Sequence, residues 1–281
     1  MTQQPGVLTA REVLASPGVK PFMAASTVLY CGVLLQATAL GKNVFDITGS
    51  ELDIGWLGLA EFVPAALLVL VTGTVADRFN RRIVSMIAQA GEMFCSLLLM
   101  LYALTEPTST LPIFAIVMLF GVFRGFLAPA MRPIAAMIAP DGGLPRVIAL
   151  YGATWTGAAI VGPALAGFLY SVHPAMAYGA AAFLISIAIM LMSRVKVTST
   201  QAPGAPRPTI RDAIEGLVFI RRTPVLLAAI SLDLFAVLAG GAVALLPVIA
   251  EEQLNVGDVA YGWLRAAGGI GAALTAILLS F

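Results

Sequence analysis

Long apolar runs, separated by short polar breaks, dominate the chain. Eight of them read as helices: about 21–41, 52–73, 83–104, 111–138, 147–170, 174–193, 224–249 and 260–281. Crossing the hydrocarbon core of a bilayer takes about 20 apolar residues in helical form, and each run meets that length. None alternates with the two-residue period of a barrel strand. Without water, only helices and closed barrels satisfy their own backbone groups. The runs are rich in Gly and Ala, which lets helices approach closely. The pattern predicts an all-α, polytopic helical membrane protein.

Composition agrees. Of 281 residues, 59% are hydrophobic and only 11% charged, against about 25% charged in an ordinary soluble domain. Such a chain lacks the polar surface to face water on all sides. Net charge is +1, and the placement of the charges says more than their sum. If residues 73–82 face the cytoplasm, the inward segments hold twelve of the sixteen Lys and Arg residues, from Arg11 and Lys20 to Arg221 and Arg222. The outward loops then hold only Lys42, and Arg124, Arg132 and Arg265 lie inside runs. This positive-inside bias puts the N-terminus in the cytoplasm. The expected location is a bacterial-type cytoplasmic (inner) membrane, crossed many times. The first twenty residues lack a charged start followed by an apolar core, so no cleavable signal peptide is expected.

The longest polar stretch is 194–223. Pro203, Pro206 and Pro208 precede Thr209 and Asp212 at capping-box spacing, and Ile210, Ile214, Leu217 and Val218 form one apolar face. This predicts a flexible linker and then a short amphipathic helix on the inner membrane surface. The chain thus divides into a six-helix unit (1–193), a cytoplasmic linker (194–223) and a two-helix remainder (224–281). There is also a weak internal repeat. Asp53 to Gly73 can be laid on Ala260 to Ser280, matching Gly55, Trp56 and Leu57 with Gly262, Trp263 and Leu264. Parallel repeats of this kind occur in transporters built from two halves.

Several function classes drop out. No basic segment with interleaved aromatics suggests nucleic acid. Cys31 and Cys95 fall inside apolar runs and read as packing residues, and the single histidine, His173, reads as a loop residue before Pro174. With one His, two Cys and no Gly-rich phosphate loop, no catalytic or metal-binding constellation can be assembled, so neither an enzyme nor a metal or organic cofactor is expected.

The most polar short stretch between runs is Gly73 to Arg82, GTVADRFNRR. Gly73 is expected to end the second span where the chain turns. Asp77 can accept from backbone amides or a guanidinium, and Arg78, Arg81 and Arg82 can pair with it or with lipid phosphates. Such a cluster can clamp two helix ends in one conformation and release them in another; the plain alternative is a topogenic basic loop.

These residues resemble the loop between the second and third helices of the major facilitator superfamily, with Asn80 standing where that motif has a Gly. Asn tolerates left-handed backbone better than most residues. In the fifth run Gly157, Gly162-Pro163 and Gly167 resemble the Gly-Pro motif of the exporter branches. Pro163 removes a backbone donor and is expected to bend the helix, and the glycines let a neighbour slide. Arg124-Gly125, Pro129-Ala130 and Pro140, with Glu215 to Ala229 and Ala244 to Ala250, resemble the subgroup that contains the enterobactin exporter. The resemblance implies a six-helix N-terminal bundle plus two helices of an incomplete second bundle. It also implies export of a small organic solute (a drug, siderophore or metabolite) by alternating access, often driven by the proton gradient. Its partners would be that solute and the lipid bilayer. The family's remaining four helices lie outside this sequence, so the alternative expectation is a truncated, non-transporting chain.

Glu61, Glu92 and Arg124 each fall roughly 9–14 residues from a span end, or about 14–21 Å at the helical rise, and so near the midplane. An unpaired charge there costs at least about 2.5–3.5 kcal/mol. Small residues flank each at helical spacing: Gly58 and Ala65, Ala88 and Ser96, Gly121 and Ala128. Those faces are expected to meet helices or a water-filled cavity, with Arg124 pairing to Glu61 or Glu92. Gln36 and Asp233 complete the candidate proton and solute site. A proton on the carboxylate would loosen the pair, and solute would compete for it. The resemblance matches Arg124 to a fourth-helix arginine implicated in proton coupling. The alternative is a satisfied structural ion pair.

Overall fold

The computed structural model describes residues 9–197 and 218–278. Its helices are α1 (Ala10–Ala15), α2 (Val19–Thr48), α3 (Glu51–Leu67), α4 (Val69–Arg78), α5 (Arg81–Ala103), α6 (Leu111–Met137), α7 (Leu144–Tyr170), α8 (Pro174–Ser193), α9 (Pro224–Ala239) and α10 (Asp258–Leu278). No strand occurs among the described residues. Two compact units result. One holds α1–α8 together with the chain from Leu246 onward; the other, within Thr200–Leu245, holds α9 and the 3₁₀ turns Gly240–Leu245. The amphipathic helix expected at 209–217 lies outside the described residues.

Five of these helices are long and apolar enough to cross a membrane, and six if α3 and α4 count as one span bent by 56°. Pro64 sits one turn before that break. The eight uniform runs read from the sequence are therefore too many. The seventh is interrupted: α9 stops at Ala239, Gly240 and Gly241 follow, and the chain continues as short helical turns around Pro247. The eighth, α10, gives up hydropathy for small residues, with Ala266, Ala267, Gly268, Gly269 and Gly271 in its centre.

In the first unit α2 packs on α7 and α8, α5 lies between α6 and α8, α3 rests on α6, and α10 runs along α7. Two cores hold it together. One joins Phe22 to Val33 of α2 with Ala88 and Cys95 of α5, Met131 and Ile134 of α6 and Ile185 and Met192 of α8. The other joins Leu35 to Val44 with Leu99, Val117, Ala166 and Tyr178. The outside of the bundle is apolar too, with Phe62, Leu67, Phe94, Leu101, Phe168 and Phe183 exposed. Side chains of this kind, presented all round, suit lipid rather than water. Trp56 and Trp263, matched in the internal repeat, both point outward.

Glycines set the closest approaches. A Cβ on Gly167 would lie 2.5 Å from the Asp258 carbonyl oxygen, and one on Gly262 would lie 2.6 Å from that of Pro163. Gly162 sits equally tightly against α2, 3.0 Å from the Cys31 carbonyl oxygen by the same measure, whereas Gly157 has nothing within 4 Å. α7 runs through Pro163 as one helix. Gly262→Ala should therefore force α7 and α10 apart and cost about 1–3 kcal/mol, as other small-to-large changes in packed cores do. Gly157→Ala should cost nothing by this mechanism. Thermal unfolding of the two variants in detergent tests the difference.

Candidate functional site

Arg124 projects from α6 between two carboxylates. Its Nε lies 3.1 Å from Glu61 Oε1 of α3, and its Nη1 lies 3.8 Å from Glu92 Oε1 of α5. α3 can come this close because α6 offers Gly121 and Gly125 to it. A Cβ on Gly121 would collide with the Glu61 carbonyl, and one on Gly125 would stand 3.3 Å from Ala65 Cα. The two acids differ in setting. Glu61 keeps a third of its side chain exposed, whereas Glu92 is fully buried and neither of its oxygens has a hydrogen-bond partner. Gln36, expected beside the ions, instead accepts a hydrogen bond from Ser96 of α5. Asp233 lies on α9 in the other unit, and its side chain is outside the described residues.

The exposed side of Arg124 opens on a cavity of about 370 Å³. Tyr30, Arg132, Tyr151 and Trp155 also line it. The Tyr30 and Tyr151 hydroxyls bond each other. The Tyr30 and Trp155 rings meet edge to face at 5.1 Å, and Phe22 stacks on Tyr151 at 5.4 Å. Arg132 has no hydrogen-bond or ion-pair partner among the described residues. The result is an apolar, aromatic-walled space with two guanidinium groups, the general make-up of a small-molecule site.

The charged loop departs from expectation in detail. Gly73 is inside α4, not at a turn, and a Cβ there would meet nothing within 4 Å. The chain turns instead at Phe79 and Asn80. Asn80 is extended (φ −60°, ψ 112°) and not left-handed; it caps α5 by accepting from the amides of Arg82 at 3.0 Å and Ile83 at 3.4 Å. Its conformation needs no glycine, and a capping side chain gains a hydrogen bond that glycine could not make. Arg81 pairs with Asp77 at 2.9 Å. Arg82 donates to the Ser193 and Val195 carbonyls at 3.3 and 2.9 Å, tying the end of α8 to the loop. Arg78 is exposed.

A second ionic cluster lies at the far end of α2. Lys42 sits within the last two turns of that helix, nearly buried, and not in an outer loop. It pairs with Asp46, with Glu251 at 2.8 Å and with Asp258 at 3.5 Å. Tyr170 donates to Asp46 at 2.6 Å, and Tyr261 of α10 donates to the Thr38 carbonyl at 3.1 Å while accepting from Arg265 at 3.2 Å. His173 caps α8, its Nδ1 accepting from the Ala175 amide at 3.1 Å.

The sequence profile described as Major Facilitator Superfamily matches residues 22–281. The chain belongs to the major facilitator superfamily. Its relatives include an uncharacterized MFS-type transporter, YfiS, of Bacillus subtilis strain 168, 25% identical over 277 residues that make up 93% of this chain and 63% of that protein. Another is Multidrug resistance protein 1 of the same strain, 26% identical over 57% of this chain and 39% of that protein. The chain thus spans less than two thirds of the length of the curated relatives it matches.

Within this superfamily member, sequence reasoning found the Arg124 ion cluster but missed most of the cavity. Tyr30, Tyr151 and Trp155 are ordinary constituents of apolar runs, and only their hydroxyl and indole groups hinted at an interior role. Lys42 was assigned to a loop because the first run was ended at residue 41, one turn or more too early. Lys42→Met would leave Asp46, Glu251 and Asp258 clustered without their cation. The expected cost is about 1–3 kcal/mol, less than a fully buried pair because Glu251 is half exposed. The measurement is the melting temperature, with Glu251→Gln expected to lower it less.

Proposed function

We propose that this protein is a secondary-active transporter of the exporter branch similar to the enterobactin exporter. It would exchange a small organic solute for protons across a bacterial cytoplasmic membrane, with its N-terminus inside. The observation that carries this reading is the position of Arg124, which lines the solute-sized cavity on one side and faces the buried carboxylate of Glu92 on the other. A charge held inside a bilayer away from any purely structural need is a functional site by default.

The cluster also fixes the sign of the coupling. When Glu92 is ionised, it and Glu61 draw the guanidinium out of the cavity. When Glu92 takes a proton, Arg124 loses one of two anionic partners and its charge turns to the cavity. A solute displaced by that charge exchanges with protons. A solute attracted by it, an anion, would travel with them. Exchange therefore favours a flat solute without a negative charge, stacked among Tyr30, Tyr151 and Trp155. The printed name of Multidrug resistance protein 1 agrees with efflux of such compounds.

The test uses the protein in proteoliposomes with an imposed proton gradient, acridine orange as the flat basic probe and salicylate as the flat anion. Acridine orange should move against the proton flux, and salicylate should not. Arg124→Ala and Glu92→Gln should each cut gradient-driven transport roughly 5–150-fold, the span of a 1–3 kcal/mol coupling. Glu61→Gln should have a smaller effect, because Glu61 is already partly in contact with the surroundings. Unchanged coupling in all three variants would remove the cluster from the mechanism.

A further inference from the structure

Among the described residues, every buried side-chain nitrogen or oxygen without a hydrogen-bond partner lies on α2 or α5. Ser26 Oγ and Gln36 Nε2 are on α2. Arg82 Nε, both amide atoms of Gln89 and both carboxylate oxygens of Glu92 are on α5. Ser85, Gln89, Glu92 and Ser96 follow at spacings of four, three and four along α5, which places them on one face of the helix, and all four are fully buried. At its upper end this face meets α2, where Ser96 bonds Gln36. The two helices run the same way, since the early part of α2 shares a core with Ala88 and Cys95 and its later part with Leu99 and Ala103. Ser26, ten residues before Gln36, therefore comes about 15 Å back along the axis, between the levels of Gln89 and Ser85.

A scatter of orphaned atoms would be unremarkable. A continuous line of them, on two helices that face each other inside an otherwise apolar bundle, is not. Buried polar groups in folded proteins are satisfied by protein or by ordered water, and leaving them bare costs their full desolvation. We infer that a file of water molecules occupies this seam, from Arg82 past Ser85 and Gln89 to Glu92, and carries protons to and from Glu92 by a route separate from the solute cavity. The inference rests on the reading above that Glu92 holds the coupling proton. None of Ser26, Gln36, Ser85, Gln89 and Glu92 lines the cavity, and Arg124 is the link between the two compartments. The step is a plain transfer: a protonated water gives its proton to a Glu92 oxygen, leaving neutral Glu92 and neutral water, and release reverses it.

The charged surroundings of Glu92 are sparse. α6 contributes Arg124, and beyond it α3 contributes Glu61. α8, packed along α5, has no charged residue between Pro174 and Ser193, and α2 carries its charges near its ends, at Lys20, Lys42 and Asp46. α4 brings Asp77 and Arg78 only to the start of α5.

Infrared spectroscopy of the whole protein in lipid reads the seam without any solute. The carboxylic C=O band that disappears in Glu92→Gln identifies the group, and its shift on transfer to heavy water times the arrival of exchangeable protons. In the wild type the shift should be complete within mixing. Gln89→Leu, similar in size but unable to hold water, should slow it at least about tenfold, and Gln89→Asn should restore it. Gln89→Leu should also melt no lower than wild type, since it removes two unpartnered buried atoms, whereas a merely structural glutamine would show a loss. Exchange at the wild-type rate in Gln89→Leu would overturn the seam while leaving Glu92 as the proton site. Absence of any band that depends on Glu92 would overturn the coupling reading and this inference with it.

Discussion

A bilayer supplies no water, so any ion inside the protein must be matched by the protein itself, and the arrangement of α3, α5 and α6 follows from that demand. Arg124 could not sit near the midplane alone. Glu61 reaches it at 3.1 Å only because α3 lies against a side of α6 where Gly121 and Gly125 leave the backbone bare. The packing of these helices and the ion pair are one constraint. A methyl group at Gly121 would push against the Glu61 backbone itself, so it would damage the electrostatics through sterics.

The second carboxylate gives the cluster its asymmetry. Glu61 is hydrogen-bond close to Arg124 and partly exposed, while Glu92 is sealed, farther away and without a hydrogen bond. A fully paired triad would be inert. A buried acid whose charge is only loosely compensated can exist in either protonation state, which is what proton coupling requires of a residue. That is the physical ground for preferring a working role over a structural one, and it comes from the geometry rather than from the presence of charge in a span.

Much of this was legible in the sequence. The helices of α5, α6, α7 and α8 follow their apolar runs closely, and the meeting of Arg124 with Glu61 and Glu92 followed from the cost of leaving any of them unpaired. The failures have physical reasons. Hydropathy cannot see the end of a helix that continues past the apolar core, so Lys42 was placed in a loop although it lies within α2. Gly73 was expected to mark a turn, but the turn is made by Asn80, whose side chain caps α5. The α5 seam was invisible because Ser and Gln hardly alter a mean hydropathy. Whether such a residue has a partner is a property of packing across helices, which no single segment contains.

The contact of α7 with α10 shows how a moving interface can be built from the same materials. Along its middle the two helices touch through Gly167 and Gly262, backbone to backbone, with few side chains interlocked to resist sliding. At one end Asp258 takes part in both kinds of contact. Its carbonyl crowds Gly167, and its carboxylate joins Glu251 and Asp46 around Lys42. A smooth face and a single ionic fastening divide the work. The glycines keep the steric barrier to displacement low, and the charges decide when displacement happens. In the proposed transport cycle the cost of opening this end is therefore electrostatic, concentrated on one lysine that is nearly out of water and three carboxylates that are not.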